Sequence, residues 1–262
     1  MIRAMYTAAT GMEAQQLYMD NISHNLSNVN TNSFKRSRVE FLDLLYQTLK
    51  EPGSRNFEGG MAPSGIEVGL GVKLATTHRS FEQGSLNLTN NPLDWAIAGE
   101  GFYQIELPDG ATAYTRDGSF KLSADGMVVN SSGHPLYPQI SMPEGGQQLE
   151  ISADGKVTVV MPGEADKTEI GQVEMVRFVN EGGLKSLGGN LYVATEASGN
   201  PMVEFPGENG TGMIQQNYVE ASNVQIVEEM VNMITAQRAF EIVSKSIQVS
   251  EEMLQVASNL KR

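Results

Sequence analysis

The three histidines are the residues whose chemistry would be most informative, because an imidazole can act as a general base or a metal ligand. His24, His78 and His134 are far apart in the sequence, and none belongs to an H-E-x-x-H motif or to another pair with metal-ligand spacing. The chain has no cysteine, which excludes disulfides, thiolate metal sites and cysteine nucleophiles. The sequence therefore predicts no metal site, and we interpret His24 as a polar residue at a helix end.

Glycine and carboxylate motifs also fail to define a site for a cofactor or a substrate. Gly99-Glu-Gly101 and Gly69-Leu-Gly71 lack the third glycine and the strand-to-helix context that phosphate binding requires. The Asp-Gly pairs lack the alternating oxygen ligands of an EF-hand, and a G-x-S-x-G nucleophile elbow is absent. With 31 acidic residues, a glycosidase-type carboxylate pair stays open, but no pair stands out. We predict that the protein is not an enzyme and has no cofactor.

The net charge of −13 is concentrated in the middle of the chain, whereas residues 1–50 and 223–262 are nearly neutral. A neutral surface can pack densely against copies of itself, while an acidic surface repels its neighbours. No segment has the basic excess that nucleic-acid phosphates require, and no stretch approaches the ~18 apolar residues of a membrane span. The N-terminus also lacks the apolar core of a secretory signal. We therefore expect no nucleic-acid partner, no membrane insertion, and any export to proceed without a cleaved signal peptide.

The elements that would position a functional surface begin with two heptad patterns, one at each end of the chain. At the N-terminus two apolar rows, interrupted by Gln15, predict a helix over residues 3–28. At the C-terminus the same period, without Gly or Pro, predicts a helix over residues 223–259. The rows are Met5, Met12, Met19 and Leu26 with Ala8, Ile22 and Val29, then Ile226, Met233, Phe240, Ile247 and Leu254 with Ala236, Val243, Ser250 and Ala257, and an additional column of Ile242, Val249 and Val256.

The ends of these helices carry recognisable signals. Ser222 or Asn223 is the predicted N-cap of the second helix, with Glu228 and Glu229 near its beginning, and Lys261 and Arg262 at its end. The first helix ends in an asparagine-rich stretch, residues 21–36, which predicts a controlled helix exit leading to Phe34 as an anchor. An ordinary helix C-cap and loop is the simpler alternative for this stretch.

A single amphipathic helix usually packs on the core of its own chain. Two of them at opposite ends, rich in Ala, Ser and Met, would form a thin seam that buries little area. We therefore interpret the ends as helices that bury their apolar faces mainly against neighbouring subunits. The alternative of a private core, and the choice between pairing within a chain and between chains, stay open. The predicted assembly interface is Met5, Met12, Met19, Ile22, Leu26, Val29, Phe34, Ile226, Met233, Phe240, Val243, Ile247 and Leu254.

The middle of the chain predicts an α+β fold, in which the terminal helices pair as a coiled-coil-like domain around a β-rich antiparallel middle domain. The predicted division is 1–34 and 223–262 helical, 35–94 and 206–222 connector, and 95–205 antiparallel β. Hairpins are predicted at Asp109-Gly110, Asp117-Gly118, Asp125-Gly126 and Asp154-Gly155, beside strand-like runs at 101–107, 127–129 and 156–160. Glycines and prolines predict a long extended loop over residues 51–71, within a connector segment 44–72. Its predicted contacts to other subunits are Tyr46, Pro52, Gly53, Pro63 and Gly65.

Four motifs in order resemble those of the flagellar rod and hook axial protein family. They are Asn25–Lys35 after the first helix, Gly99–Tyr103 and Tyr114–Phe120 in the β region, and Gln216–Glu241 at the C-terminus. Ser33 stands where glycine is common in the family, which argues against a special backbone geometry there. The stretches 43–54 and 63–71 are similar to a segment of the distal rod members, with a proximal rod or hook paralogue as the alternative.

This resemblance implies a structural subunit of the bacterial flagellar basal body, in the periplasmic rod, exported unprocessed through the flagellar secretion channel. It implies a helical tube with the terminal helices inside and the β domains outside, which transmits torque from motor to hook and leaves a central passage. Implied partners are the protein itself, proximal rod proteins, the hook protein and bushing ring proteins. A monomeric adhesin or carbohydrate-binding β domain and a carboxylate hydrolase are the rival interpretations.

Overall fold

A computed structural model of the chain describes residues 2–53, 63–143, 145–146, 148–161 and 167–259. The two long helices are α1, Ile2–Ser27, and α2, Ile226–Asn259. Neither described helix is both long and apolar enough to cross a bilayer. The strands are β1 (Ser37–Asp43), β2 (Tyr46–Lys50), β3 (Ile66–Gly69), β4 (Val72–Arg79), β5 (Leu86–Leu88), β6 (Trp95–Ala98), β7 (Phe102–Glu106), β8 (Thr112–Thr115), β9 (Lys121–Leu122), β10 (Val128–Val129), β11 (Leu136–Tyr137), β12 (Gln148–Ile151), β13 (Lys156–Val160), β14 (Lys167–Gln172), β15 (Met175–Arg177), β16 (Lys185–Gly188), β17 (Leu191–Val193), β18 (Met202–Glu204), β19 (Met213–Gln216) and β20 (Tyr218–Glu220).

The chain divides into two compact units. The first unit comprises Met1–Ser27, Ser37–His78 and Gln225–Arg262, and the second comprises Asn28–Arg36 and Arg79–Val224. Their boundaries fall at different residues from those of the predicted three-part division. In particular, the segment from β1 to β4 belongs with the helices, because β1 contacts α1.

The first unit contains the two predicted helices, which contact each other. Gly11 of α1 lies beside Val243 of α2, where an added Cβ atom would be in ordinary van der Waals contact with Cγ1 of Val243 at 3.9 Å. The helix predicted over 3–28 is confirmed, as is the one over 223–259, although α2 begins only at Ile226. Glu228 and Glu229 do occupy the first turn of α2, whereas Lys261 and Arg262 lie outside the described residues.

The N-cap prediction for α2 is wrong at Asn223. Its side chain accepts a hydrogen bond from the backbone N–H of Arg36 at 2.7 Å and donates to the carbonyl groups of Ser80 and Glu82. The hydroxyl of Ser222 accepts from the N–H of Val224, which still precedes the helix. Both side chains therefore serve the segment before α2 rather than its first turn.

Two strand pairs complete the first unit, β1 with β4 and β2 with β3. The β2–β3 pairing corrects the prediction of one long loop over residues 51–71, because residues 66–69 lie in an antiparallel ribbon with 46–50. Residues 54–62 of the predicted loop lie outside the described residues. The turn between β3 and β4 requires Gly71, whose φ is +119° and whose added Cβ would overlap the hydroxyl of Thr10 in α1.

The second unit confirms the predicted β-rich antiparallel middle. Its largest sheet has the order β16-β17-β8-β7-β15-β18, with β11 also paired to β7, and β12-β13-β14 form a second sheet. Apolar residues alternate along these strands, so one face of β7 contributes Tyr103 and Ile105 to the main core, while the other contributes Phe102 to a smaller aromatic cluster. Trp95 is fully buried in the main core.

Three of the four Asp-Gly pairs form the predicted hairpins. Asp109-Gly110 joins β7 to β8, Asp125-Gly126 joins β9 to β10, and Asp154-Gly155 joins β12 to β13, each with glycine at positive φ. The hairpin prediction at Asp117-Gly118 is wrong. The carboxylate of Asp117 accepts the N–H of Ser119 there, and Gly118 lies so close to Trp95 that an added Cβ would overlap its carbonyl oxygen.

Candidate assembly site

The structure brings the predicted heptad rows onto the sides of α1 and α2 that are least exposed. Ile22, Ala236 and Ser250 are buried, Ile226 and Ala257 are exposed, and the other row members are half-buried. Because α1 and α2 of one chain contact each other, part of this apolar area is covered within the chain. The role of these residues in assembly stays a prediction. The half-buried members are Met5, Met12, Met19 and Leu26 of α1 and Met233, Phe240, Val243, Ile247 and Leu254 of α2.

Three residues of the predicted interface lie elsewhere. Val29 and Phe34 follow the end of α1 and belong to the second unit, where Phe34 is buried. Ile226 is the first residue of α2 and is about half exposed. Val29 and Phe34 therefore do not lie on a helix, because α1 ends at Ser27.

The additional apolar column of α2 is exposed. The exposed fraction of Ile242 is 70%, and Val249 and Val256 are also exposed. The beginning of α2 carries a second exposed set, Val227, Met230, Val231 and Ile234. These two sets of α2 therefore form apolar surface that the rest of the described chain leaves exposed.

The predicted contact residues of the connector lie at both ends of the segment whose middle is not described. Tyr46 is exposed on β2, and Pro52, Gly53 and Pro63 are exposed beside the undescribed stretch. Gly65 lies against β2, since an added Cβ would be 2.6 Å from the carbonyl oxygen of Lys50. Leu45, Leu49 and Ile66 leave further apolar surface on this ribbon.

A buried ion cluster, composed of Lys35, Arg116 and Glu220, lies in the second unit next to the segments that lead into the helices. The Nζ of Lys35 donates to Oε1 of Glu220 at 2.7 Å, and Nε of Arg116 donates to Oε2 at 3.0 Å. Arg116 also donates to the carbonyl groups of Gly99 and Gly101, and Lys35 donates to that of Glu82. Every charge in the cluster is thus paired and hydrogen-bonded, which a buried charge requires.

The ion cluster joins the chain after α1 to the chain before α2. The N–H of Ser33 donates to the carbonyl of Glu220 at 2.8 Å, and the N–H of Asn223 donates to that of Phe34 at 3.4 Å. Together with the Asn223 side chain on Arg36, these bonds hold residues 33–36 beside residues 220–223. Within the second unit, one network therefore holds the residues that follow α1 beside the residues that precede α2.

Ser33 has the special backbone geometry that its residue type argued against. Its φ is +54°, in the left-handed region that favours glycine. Its buried hydroxyl donates to the carbonyl of Arg116 at 2.9 Å, which compensates part of the strain of this conformation.

The sequence interpretation missed Arg116, Glu220 and the role of Asn223. Arg116 and Glu220 do lie within two of the motifs quoted above, and a charged residue inside an apolar β motif is a usable signal for a buried pair. Their partners, however, are more than 100 residues apart in the sequence, so pattern alone could not connect them.

Burial, followed by the nearby charge of Arg116, lowers the pKa of Lys35 from 10.5 to about 8. Between these two values the unfolded chain binds more protons than the folded one, so stability rises with pH across this window and is lost as the pH falls toward 8. We compare the free energy of unfolding of the wild type with that of a Lys35→Met variant. This difference should increase in favour of the wild type by up to about 3 kcal/mol between about pH 8 and pH 10.5. Denaturant titrations followed by Trp95 fluorescence measure this difference, and a flat or falling difference would contradict the assignment.

The three histidines lie on three different elements. His24, His78 and His134 lie on α1, on β4 and in the turn before β11, and His78 contacts the carboxylate of Glu40 at 3.4 Å. Among the described residues, no group of three His, Asp or Glu side chains is placed to hold a metal ion.

Comparison with known proteins identifies the class to which this arrangement belongs. Family models match at residues 5–35 (flagella basal body rod protein), 96–159 (flagellar hook protein FlgE/F/G D1 domain) and 215–260 (flagellar basal body rod FlgEFG protein, C-terminal). These matches fall on both helices and on the first part of the β middle, and all three models describe flagellar rod and hook proteins, the class that the motifs predicted.

Relatives that match this chain over its full length identify the particular family within this class. The flagellar basal-body rod protein FlgG of Buchnera aphidicola subsp. Baizongia pistaciae is 49% identical over 99% of this chain and 100% of its own length. FlgG of Borreliella burgdorferi is 49% identical over all of both chains, and FlgG of Caulobacter vibrioides is 46% identical over 99% of this chain and all of its own. The chain belongs to the FlgG family of flagellar basal-body rod proteins.

Proposed function

We propose that the protein is a structural subunit of the distal part of the flagellar rod, which polymerises through α1 and α2 into a helical tube. The observation that carries this proposal is the exposed apolar surface along α2, from Val227 to Val256, which is unlike the surface of a helix in a free monomer. Family membership supports the same function, because the relatives are named basal-body rod proteins.

In this proposal α1 and α2 pair within each chain as a coiled-coil-like domain. The largely half-buried heptad rows and the contact between α1 and α2, for example at Gly11 and Val243, support it. The predicted division into a helical polymerisation domain, a connector and a β domain is retained as a functional division. The row residues hold the pair together, and the exposed faces of the pair meet other subunits.

The tube would transmit torque from the motor to the hook and leave a central passage for export. Tyr46, Leu49 and Ile66, exposed on the β2–β3 ribbon, give the connector an apolar surface with which to reach adjacent subunits and stiffen the shaft. Proximal rod proteins, the hook protein and the bushing rings are the proposed neighbours, and export through the flagellar secretion channel is the proposed route. No catalytic role forms part of the proposal.

An assembly assay tests the proposal. The purified full chain is expected to form tubes at high concentration, seen by negative-stain electron microscopy and by sedimentation. An Ile242→Asp variant should lose these tubes, because it places a charge on the exposed column without disturbing a buried residue. Gln248→Asp adds the same charge at another exposed position of α2 and serves as the control.

Two results would count against the proposal. One is a wild-type protein that stays monomeric at every concentration tested. The other is an Ile242→Asp variant that forms tubes as readily as the Gln248→Asp control does.

A further inference from the structure

A groove of about 720 Å³ lies in the first unit between the beginning of α1, strand β3 and the second half of α2. Its walls are small or apolar, with Ala4 and Ala8 on one side and Val68 and Ile242 on the others. Arg3 stands at the groove as a cation, and its Nη1 donates to Oε1 of Gln47 at 2.8 Å. The groove therefore suits an apolar segment that carries an acidic group at one edge.

The first two turns of α2 present such a segment. Val227, Met230, Val231 and Ile234 have exposed fractions of 76%, 51%, 54% and 50%. Their spacing of three, four and seven residues places them on one face of the helix, and we call this set the α2 stripe. Glu228, exposed between its first members, supplies the acidic group.

The α2 stripe cannot fill the groove of its own chain. Ile234 and Ile242 are eight residues apart on one straight helix, which separates them by about 12 Å, and Val227 lies farther still. A second copy of the chain, in contrast, offers the stripe without this constraint. The groove and the stripe lie at different positions along α2. Two copies joined by one such contact therefore still present one unoccupied groove and one unoccupied stripe.

We propose that the α2 stripe of one copy occupies the groove of the next, with Glu228 directed toward Arg3. This inference rests on the proposed function and specifies which surfaces meet in the polymer. Such a contact joins two different patches, so it does not close on itself and continues along a filament. Its apolar walls would exclude water from the stripe, and the opposite charges at its edge would set the register.

Cysteine cross-linking tests the contact, because the natural chain contains no cysteine. A disulfide requires two Cα atoms within about 7 Å. A variant with both Ala4→Cys and Ile234→Cys should form disulfides only between copies, since Ile234 is too far along α2 to reach the groove of its own chain. After oxidation of the assembled protein, a non-reducing gel should show a ladder of dimers, trimers and higher multimers.

Matched control variants test which face of α2 makes the contact. Thr235 is exposed next to Ile234 but points about 100° away around the helix, so a variant with Ala4→Cys and Thr235→Cys should lose the ladder. Each single-cysteine variant should give no product beyond a dimer. If the first pair does not polymerise under reducing conditions, Thr7→Cys with Val231→Cys repeats the test at the same two surfaces.

The outcomes separate this inference from the proposed function. A ladder from the Ile234 pair and none from the Thr235 pair supports the contact. Dimers alone would indicate a symmetric contact and overturn it, as would tubes that form without any ladder, and in the latter case the proposed function would stand. A wild-type chain that never polymerises would overturn both.

Discussion

Replacing Glu220 with glutamine is expected to destabilise the second unit by about 3–5 kcal/mol, because it leaves two buried cations without their counter-charge. The Glu220 carboxylate is inaccessible to solvent and accepts hydrogen bonds from Lys35, Arg116 and the N–H of Gly84. Glutamine has nearly the same shape and can still accept from Gly84, so packing is conserved and the loss is electrostatic. It does, however, place an NH2 group against one of the cations.

The two cations respond differently to this change. The guanidinium of Arg116 loses its counter-charge, so its charge is left unbalanced. The pKa of Lys35 is already lowered to about 8, and loss of the carboxylate should lower it further, so that Lys35 releases its proton near neutral pH. The destabilisation by Glu220→Gln is therefore expected to shrink as the pH rises.

Denaturant titration followed by tryptophan fluorescence measures the effect. Trp95 is the single tryptophan of the chain and is buried in the core of the second unit, so it reports on that unit. Glu100→Gln is the matched control, because the ion pair of Glu100 with Arg177 at 2.9 Å has a carboxylate that is 66% exposed. Such a surface pair contributes less than about 1 kcal/mol. Equal losses in the two variants would refute the role given to the buried ion cluster.

The hydrogen bonds beside the buried ion cluster also affect the entropic cost of pairing α1 with α2. In sequence, α1 and α2 are separated by about 200 residues, and closing so long a flexible loop costs several tenths of a kcal/mol for each doubling of its length. The hydrogen bonds between residues 33–36 and 220–223 replace that long closure with a short one. The folded second unit thereby lowers the entropic cost of pairing α1 with α2.

Local signals in the sequence were sufficient to predict the helices and most of the hairpins. A heptad row needs only the residues of one helix, and an Asp-Gly turn needs only four residues. Both can therefore be recognised from a short stretch of sequence. Asp117-Gly118 failed because its glycine is required for close approach to Trp95, a contact across the fold that its neighbours in sequence do not reveal.

The candidate site was less accessible to prediction because it depends on which side of each helix is covered. The heptad rows and the column of Ile242, Val249 and Val256 look alike as apolar patterns, but most row members are buried or half-buried and the column is exposed. The ion cluster could not be predicted from the sequence, for a different reason. It joins Lys35 to a residue 185 positions away, and no periodicity connects such a pair.

Ile22→Asp is expected to separate the stability of the helices from that of the β unit. Ile22 is 1% exposed on α1, so the substitution removes a buried apolar side chain and puts a carboxylate in its place, at a cost of about 4 kcal/mol or more. The pair of α1 and α2 has a thin seam rich in Ala, Ser and Met, and it should not tolerate such a loss. Far-UV circular dichroism should show loss of helix, and sedimentation should show loss of assembly.

Ile2→Asp is the control for this variant, because it makes the same substitution on the same helix at a residue that is 80% exposed. Its helical signal should match that of the wild type. In both variants the unfolding transition reported by Trp95 should stay in place, since Trp95 lies in the core of the other unit. A helical signal unchanged by Ile22→Asp would mean that the two helices do not depend on their shared apolar face. A Trp95 transition shifted by Ile22→Asp would mean that the two units fold as one, and that polymerisation and folding of the β unit are coupled.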